Sequence, residues 1–252
     1  MGGMTSEKIA SARTATEVQL GQGVAAMPES IMERYRTNRH WRLYEKEWIF
    51  RNFAPAGKSW VDFGCGTGEI TTQLALLGAS RVVAIDVTPG LVNMTQQQAE
   101  CDGVADRVRA VCGDITTIEP EPVDFVLAFA TLHHVPDRLE EIIEVIVRWL
   151  KPGGTFIFSE PVCYLPALEW MRNHSGVPRD PLDPGERKLT SSDLSLIEGH
   201  FSSVERTHFN TFQRLSRIVR ATDRPLRRLD AALRPLPGSW RFAGTVLGAC
   251  RK

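Results

Sequence analysis

Asp62-Phe63-Gly64-Cys65-Gly66-Thr67-Gly68-Glu69 is the stretch on which the fold reading rests. Before it, Ser59-Trp60-Val61-Asp62-Phe63 reads as a short buried strand; after it, Glu69 to Leu77 reads as a helix. Three glycines at alternate positions in a strand-to-helix turn leave bare backbone, because no Cβ blocks the approach of a ligand. Such a turn lies at the carboxyl edge of a parallel sheet, where open α/β folds bind their ligands.

The same strand–helix rhythm continues outward. Arg81–Ile85, Val108–Cys112, Val123–Ala130 and Thr155–Phe158 read as further strands. Pro89–Glu100 reads as a helix with proline in its first turn. Leu139, Ile142, Ile143, Ile146 and Leu150 fall on one helical face, and Pro152-Gly153-Gly154 is expected to stop that helix. Apolar strands alternating with helices predict a parallel sheet covered on both faces with right-handed crossovers. Beyond Glu160 the rhythm changes. An aromatic stretch from Pro161 to Met171 precedes a Pro-rich segment over 172–189, expected to be a long loop. Thr190 and Asp193 resemble a capping box before Leu194 and Ile197. Val204–Phe212 and Ala243–Cys250 read as strands and 214–234 as helical; residues 1–27 read as a tail, and Pro28 opens a helix.

The 252 residues, 42% apolar and 24% charged, bury enough surface to need no disulfide scaffold and exclude overall disorder. Thirty basic and thirty acidic residues leave no net charge to attract nucleic acid. Five scattered cysteines without a CxxC point to a reducing, cytoplasmic setting and to no metal site.

The glycine spacing separates two cofactor classes. A dinucleotide fingerprint requires its third glycine at position 69, which is Glu. The order Asp-x-Gly-x-Gly-x-Gly instead resembles the first motif of class I S-adenosylmethionine-dependent methyltransferases. Asp86 at the end of the second strand, Gly113-Asp114-Ile115 after the third, Phe129 to Val135 after the fourth and Leu150-Lys151-Pro152-Gly153-Gly154 before the fifth agree with that pattern. The resemblance covers about residues 55–161. It implies a Rossmann-like seven-stranded sheet with helices on both faces, its last strand antiparallel and formed by Ala243–Cys250. It implies S-adenosyl-L-methionine as cofactor, held by Asp62, Gly64, Cys65, Gly66, Gly68, Asp86, Val87, Asp114, Ile115 and Ala130. Asp86 takes the ribose hydroxyls, Asp114 the adenine amine and Ile115 the ring face; Cys65 reads as a small filler.

On this reading the chain is one methyltransferase domain over 28–252. It comprises a helical lid (28–54), a cofactor core (55–161) and acceptor-side insertions (162–190 and 213–238). Methyl transfer displaces a neutral thioether, so the protein mainly aligns the reactants and excludes water. A base is needed only for a protonated nucleophile. His133, His134 and Glu160 are the candidates, with wall residues as the plain alternative for the histidines. Tyr35 and Tyr164 are candidates to orient substrate. An Asn/Asp-Pro-Pro-Tyr/Phe turn after the fourth strand is absent, and this argues against DNA amine methylation. Trp41, Tyr44 and Trp48, with Tyr164, Leu165, Trp170 and Met171, suit an apolar small-molecule acceptor, methylated most readily at oxygen. Carbon methylation of an isoprenoid or quinone, and a cofactor-binding partner subunit without turnover, stand as alternatives. Residues 214–241 carry eight arginines against Asp223 and Asp230. They read as a solvated helix face, an anionic membrane contact or a receiver of an anionic substrate. RNA is disfavoured by the neutral charge and the lack of a separate RNA-binding domain.

Overall fold

The computed structural model describes residues 45–174, 186–211, 223–233 and 235–252. The 1–27 tail, the helix opened by Pro28, Tyr35, Trp41 and Tyr44 fall outside them, as do 175–185, 212–222 and several of the arginines of 214–241.

Seven strands form one sheet: β1 (Ser59–Phe63), β2 (Arg81–Asp86), β3 (Val108–Cys112), β4 (Val123–Phe129), β5 (Leu150–Pro161), β6 (Ser203–Phe209) and β7 (Thr245–Arg251). Their order is β3-β2-β1-β4-β5-β7-β6. β1 pairs in parallel with β2 and β4, whereas β7 runs antiparallel to both β5 and β6. This is a Rossmann-like fold with an antiparallel last strand. All five residues of β1 are buried, as a central strand covered on both faces demands.

Helix α1 covers 45–52. It is followed by α2 (Glu69–Leu76), α3 (Pro89–Cys101), α4 (Leu139–Trp149), α5 (Pro166–His174), α6 (Ser191–Glu198) and α7 (Asp223–Leu233). Alternation along the strands divides the core into two layers. Val61, Phe63, Val126, Phe156 and Phe158 meet Ile142, Ile146, Leu194 and Ile197 of α4 and α6. Trp60, Val82, Leu127 and Ile157 meet Ile49, Leu74 and Ala99 of α1, α2 and α3. The expected capping box is formed: Thr190 accepts from Asp193 N, and Asp193 accepts from Thr190 N. Arg187 adds a two-pronged ion pair to Asp193.

Two expectations are corrected. β5 begins at Leu150, before the Pro152-Gly153-Gly154 breaker, because Leu150 is already extended and pairs with Val123. The breaker is absorbed as an irregularity, after which Thr155 pairs with Phe125. The segment expected to be a loop from 172 begins as the end of α5, which continues to His174.

Candidate active site

The strand order places a topological switch between β1 and β4, whose following turns diverge to opposite faces. Across that crevice the two turns touch. A Cβ built on Gly64 would lie 2.3 Å from Thr131 Cγ2, and Gly64 has φ +71°, so both the contact and the backbone require glycine. Gly66 differs. Its φ is +55°, yet a Cβ there would meet nothing within 4 Å. Bare main chain therefore faces open space at Gly66. Gly68 turns into α2 at φ +83° and packs directly on Thr95, whose hydroxyl donates to Gly66 O at 3.0 Å.

Asp86 ends β2 beside this loop. Its carboxylate accepts from Gly66 N at 3.0 Å and from Thr88 N at 2.9 Å. Gly64 and Cys65 donate their N–H groups to Ile85 O, so β2 anchors the start of the loop. Asp62 points behind it and accepts from Thr71 Oγ1 of α2 at 2.6 Å. Burial pushes the Asp62 carboxyl up to about 6. The Cys65 thiol is buried against Thr95, and burial raises its pKa well above the ordinary thiol value. A raised thiol is not a reactive one.

On the far side of β2, Asp114 caps a 3-10 turn through Thr116 N at 2.9 Å. Arg138 grips the same carboxylate with two nitrogens, at 2.7 and 3.2 Å. Burial raises the Asp114 carboxyl, but the bonds from Arg138 and Thr116 outweigh it and hold it below the usual range. Sequence reasoning missed Arg138; its only signal was the position just before the amphipathic helix. Ile115 is almost wholly buried in the core against α4, so its side chain serves packing first. Val87 is half-buried, and its carbonyl accepts from Cys112 Sγ at 3.7 Å.

The turn after β4 carries the remaining candidates. Ala130 has φ +57°, a left-handed conformation that costs an L-residue about 1–2 kcal/mol. Its N–H donates to Ser159 O at 2.8 Å. Glu160 at the carboxyl end of β5 then takes hold of the turn. It accepts from Thr131 N at 2.7 Å, Leu132 N at 2.8 Å and His133 N at 3.4 Å, and faces His133 Nδ1 at 2.8 Å. Glu160 is fully buried. Its acceptor capacity is used by the turn, which makes it a positioning residue and not a group that reaches substrate. His133 and His134 lie with ring centroids 4.2 Å apart, and His134 Nδ1 is 2.7 Å from Glu186 Oε1.

The acceptor-side residues divide. Trp48 packs edge-on against Phe53, which packs on Phe125; this places it in the core, away from the crevice. Tyr164 lies at the carboxyl edge. Its hydroxyl is 2.8 Å from His208 Nε2, and its ring is edge-on to Trp240. Burial pushes the Tyr164 phenol up to about 12, which keeps it protonated. Trp170 is largely exposed, while Leu165 is half-buried. Glu45, missed by the sequence reading, is buried on α1; Ser159 Oγ donates to it at 3.0 Å and Asn210 Nδ2 at 3.1 Å. Lys46 pairs with Glu69 at the start of α2. Helix α1 is thus tied to both sides of the crevice. Arg228 and Arg241, the described members of the basic segment with visible side chains, are exposed.

The fold is a Rossmann-like α/β sheet with an open glycine-lined crevice at its switch point. In comparison with known proteins, residues 61–158 match a family model described as a methyltransferase domain. Residues 61–158 are thus similar to a methyltransferase domain, and solved structures that share the fold were obtained with S-adenosylmethionine or S-adenosyl-L-homocysteine. A ubiquinone biosynthesis O-methyltransferase of Pseudomonas putida is 34% identical over 126 residues, 48% of this chain and 53% of the relative. The chain therefore spans about half the length of the curated relative it matches. Among solved structures, a DhpI–SAM–HEP complex superposes with a TM-score of 0.61 at 18% identity, covering 94% of this chain and 98% of that one. The N-methyltransferase NodS of Bradyrhizobium japonicum, bound to S-adenosyl-L-homocysteine, gives 0.55 at 16% identity over 86% and 87%. Among the described residues no helix is long and apolar enough to cross a membrane.

Proposed function

We propose that the chain transfers the methyl group of S-adenosylmethionine to a hydroxyl of a small, apolar organic molecule. The observation that carries this reading is Gly66, bare backbone beside Asp86, facing across the switch point to the turn that holds His133. The cofactor's ribose hydroxyls bind the Asp86 carboxylate, and its adenine amine binds Asp114. Gly66 permits the nucleoside to lie flush along the main chain. When bound, the cofactor would supply an electrophilic methyl group to an acceptor held beside the Ala130 turn.

The acceptor oxygen attacks the methyl carbon as the S–CH3 bond breaks, releasing a neutral thioether. The acceptor's proton passes to His133 Nε2. Glu160 accepts from main-chain N–H groups of the turn and engages His133 Nδ1, which leaves Nε2 as the nitrogen open to the acceptor. Support for oxygen as target comes from the relative named as an O-methyltransferase. Support for an apolar acceptor comes from Tyr164 and Trp240 and the exposed Leu236 and Phe242 near them in the chain.

The test is calorimetry with S-adenosylhomocysteine, followed by transfer of labelled methyl to a panel of phenols and aliphatic alcohols. Micromolar binding with label recovered as an ether is the expected result. Absence of binding to ligand-free protein overturns the reading, and label recovered on carbon moves the target atom.

A further inference from the structure

The β4 turn carries a second feature, which shares only His133 with the proposed transfer. His133, His134 and Glu186 each present one ligand atom, and the three atoms lie within 4.8 Å of one another. Two of them come from consecutive residues of one 3-10 turn, Leu132–His134. The third comes from a segment far along the chain that the fold pins against this turn. Arg187 N donates to His133 O at 3.2 Å, Leu189 N to Pro161 O at 3.0 Å and Cys163 N to Leu189 O at 2.8 Å. Glu186 is thus brought to the histidines by main-chain bonds on its flank, and its side chain is 8% exposed.

We propose that His133, His134 and Glu186 form a binding site for a divalent first-row transition ion at the acceptor end of the crevice. Four arguments carry it. Two imidazoles and one carboxylate form the donor set of open zinc and iron(II) sites, and are ill suited to magnesium or calcium, which prefer oxygen. His133 already has the outer partner that ligating histidines use: Glu160 engages Nδ1 at 2.8 Å, which leaves Nε2 as the ring nitrogen available to an ion. Glu160 is itself fixed by the main-chain N–H groups of Thr131 and Leu132. Finally, tetrahedral zinc with nitrogen ligands near 2.1 Å spaces them about 3.4 Å apart, and the three groups bracket that spacing: His134 Nδ1 and Glu186 Oε1 are 2.7 Å apart, and no two of the ligand atoms are more than 4.8 Å apart. With three protein ligands a fourth position stays open, as in catalytic rather than structural sites.

The open position faces where the proposed function puts the acceptor, and the inference rests on that reading for its role. An acceptor hydroxyl bound there forms an oxygen–metal bond, loses its proton to solvent and is held as a metal alkoxide or phenolate. That oxygen then bonds to the methyl carbon as the S–CH3 bond breaks, and the neutral ether leaves the ion. While an ion is bound, His133 Nε2 is a ligand and takes no proton. Without the ion it is the base.

The test uses the full chain saturated with S-adenosylhomocysteine. Zn2+ uptake is measured by calorimetry, and Co2+ uptake by its visible absorption, in wild type, His134→Ala and Glu186→Gln. One equivalent bound by wild type, with affinity at least about tenfold weaker in each variant, is the expected result; even outer-shell partners are worth about that much. No uptake by wild type overturns the site. Equal uptake by all three proteins also overturns it, and assigns the binding to other groups such as the exposed Cys101 and Cys112. Co2+ absorption on wild type alone decides the matter should a variant fail to fold. S-adenosylhomocysteine affinity in the same samples is independent of these outcomes, so its loss counts against the proposed function and not against the metal site.

Discussion

Two carboxylates at the ends of two strands hold the two turns of the crevice, and they do so differently. Asp86 of β2 steadies the glycine loop through Gly66 N and Thr88 N, and it is half-buried. Glu160 of β5 grips Thr131, Leu132 and His133, and it has no exposed surface. The same residue chemistry at mirror positions thus serves two ends. One carboxylate stands at a binding surface. The other is consumed by the scaffold and acts only through the imidazole it aims.

The sharpest way to break that comparison is to delete each carboxylate. Glu160→Ala strands several buried donors and is expected to cost about 3 kcal/mol or more of stability, measured by urea unfolding. Asp86→Ala is expected to unfold at a midpoint close to wild type but to bind S-adenosylhomocysteine about 1.5–3 kcal/mol more weakly in calorimetry. Equal stability losses in the two variants refute the distinction.

The glycines repeat the contrast at smaller scale. Gly64→Ala drives a Cβ into Thr131 and is expected to destabilise the fold outright. Gly66→Ala meets nothing within the chain and costs only the strain of a left-handed alanine, about 1–2 kcal/mol, while cofactor affinity falls by more than that. A Gly66→Ala protein with normal affinity removes the nucleoside from this loop.

Asp62 sharpens the comparison through pH. Its folded value, about 6, is raised above the ordinary 3.8 by burial, so the folded state holds the proton more tightly than the unfolded one. Its contribution to stability is whole below pH 3.8 and is lost as pH rises through about 6. Asp62→Asn keeps an acceptor for Thr71 and removes that loss. Its unfolding free energy, from urea titration, is expected to exceed wild type at pH 7.5 by on the order of 1–3 kcal/mol and to match it at pH 4. A gain that persists at pH 4 assigns the effect to something other than ionisation.

The smallest effect is expected at Arg138. Arg138→Ala releases Asp114, which then titrates nearer its ordinary value, and S-adenosylhomocysteine affinity is expected to change by a few-fold with a weakened salt dependence. An unchanged affinity at all salt concentrations assigns Arg138 to packing of the turn alone.

The central fold was legible because its signals are local. Apolar runs bounded by Gly, Pro and Asp mark β1 to β4 within a residue or so of their ends, and Thr190 with Asp193 announces α6. The glycine spacing marked the tight turn after β1 for the same reason, since the positive φ of Gly64, Gly66 and Gly68 is written into residue type. What stayed hidden depends on distant pairing. Glu160 reads as a candidate base from its strand-end position; only the register of β4 on β5 puts three N–H groups around it. Glu186, Glu45 and Arg138 carry no motif and act through partners far away in the chain. Trp48 reads by periodicity only as part of one helical face, open to an acceptor or to the core; its packing on Phe53 is set by tertiary contacts.

One further consequence lies in the contact between Gly64 and Thr131. With no side chain between them, the two turns move as meshed parts, and Thr131 also donates to Phe63 O at 3.1 Å. On the proposed function, the half that would seat the nucleoside therefore senses, by collision alone, any displacement of the half that would meet the acceptor. Substitutions that enlarge the acceptor's berth without shifting Thr131 leave the nucleoside's seat untouched, which makes this chain a scaffold whose methyl-donor chemistry and choice of recipient can be altered separately.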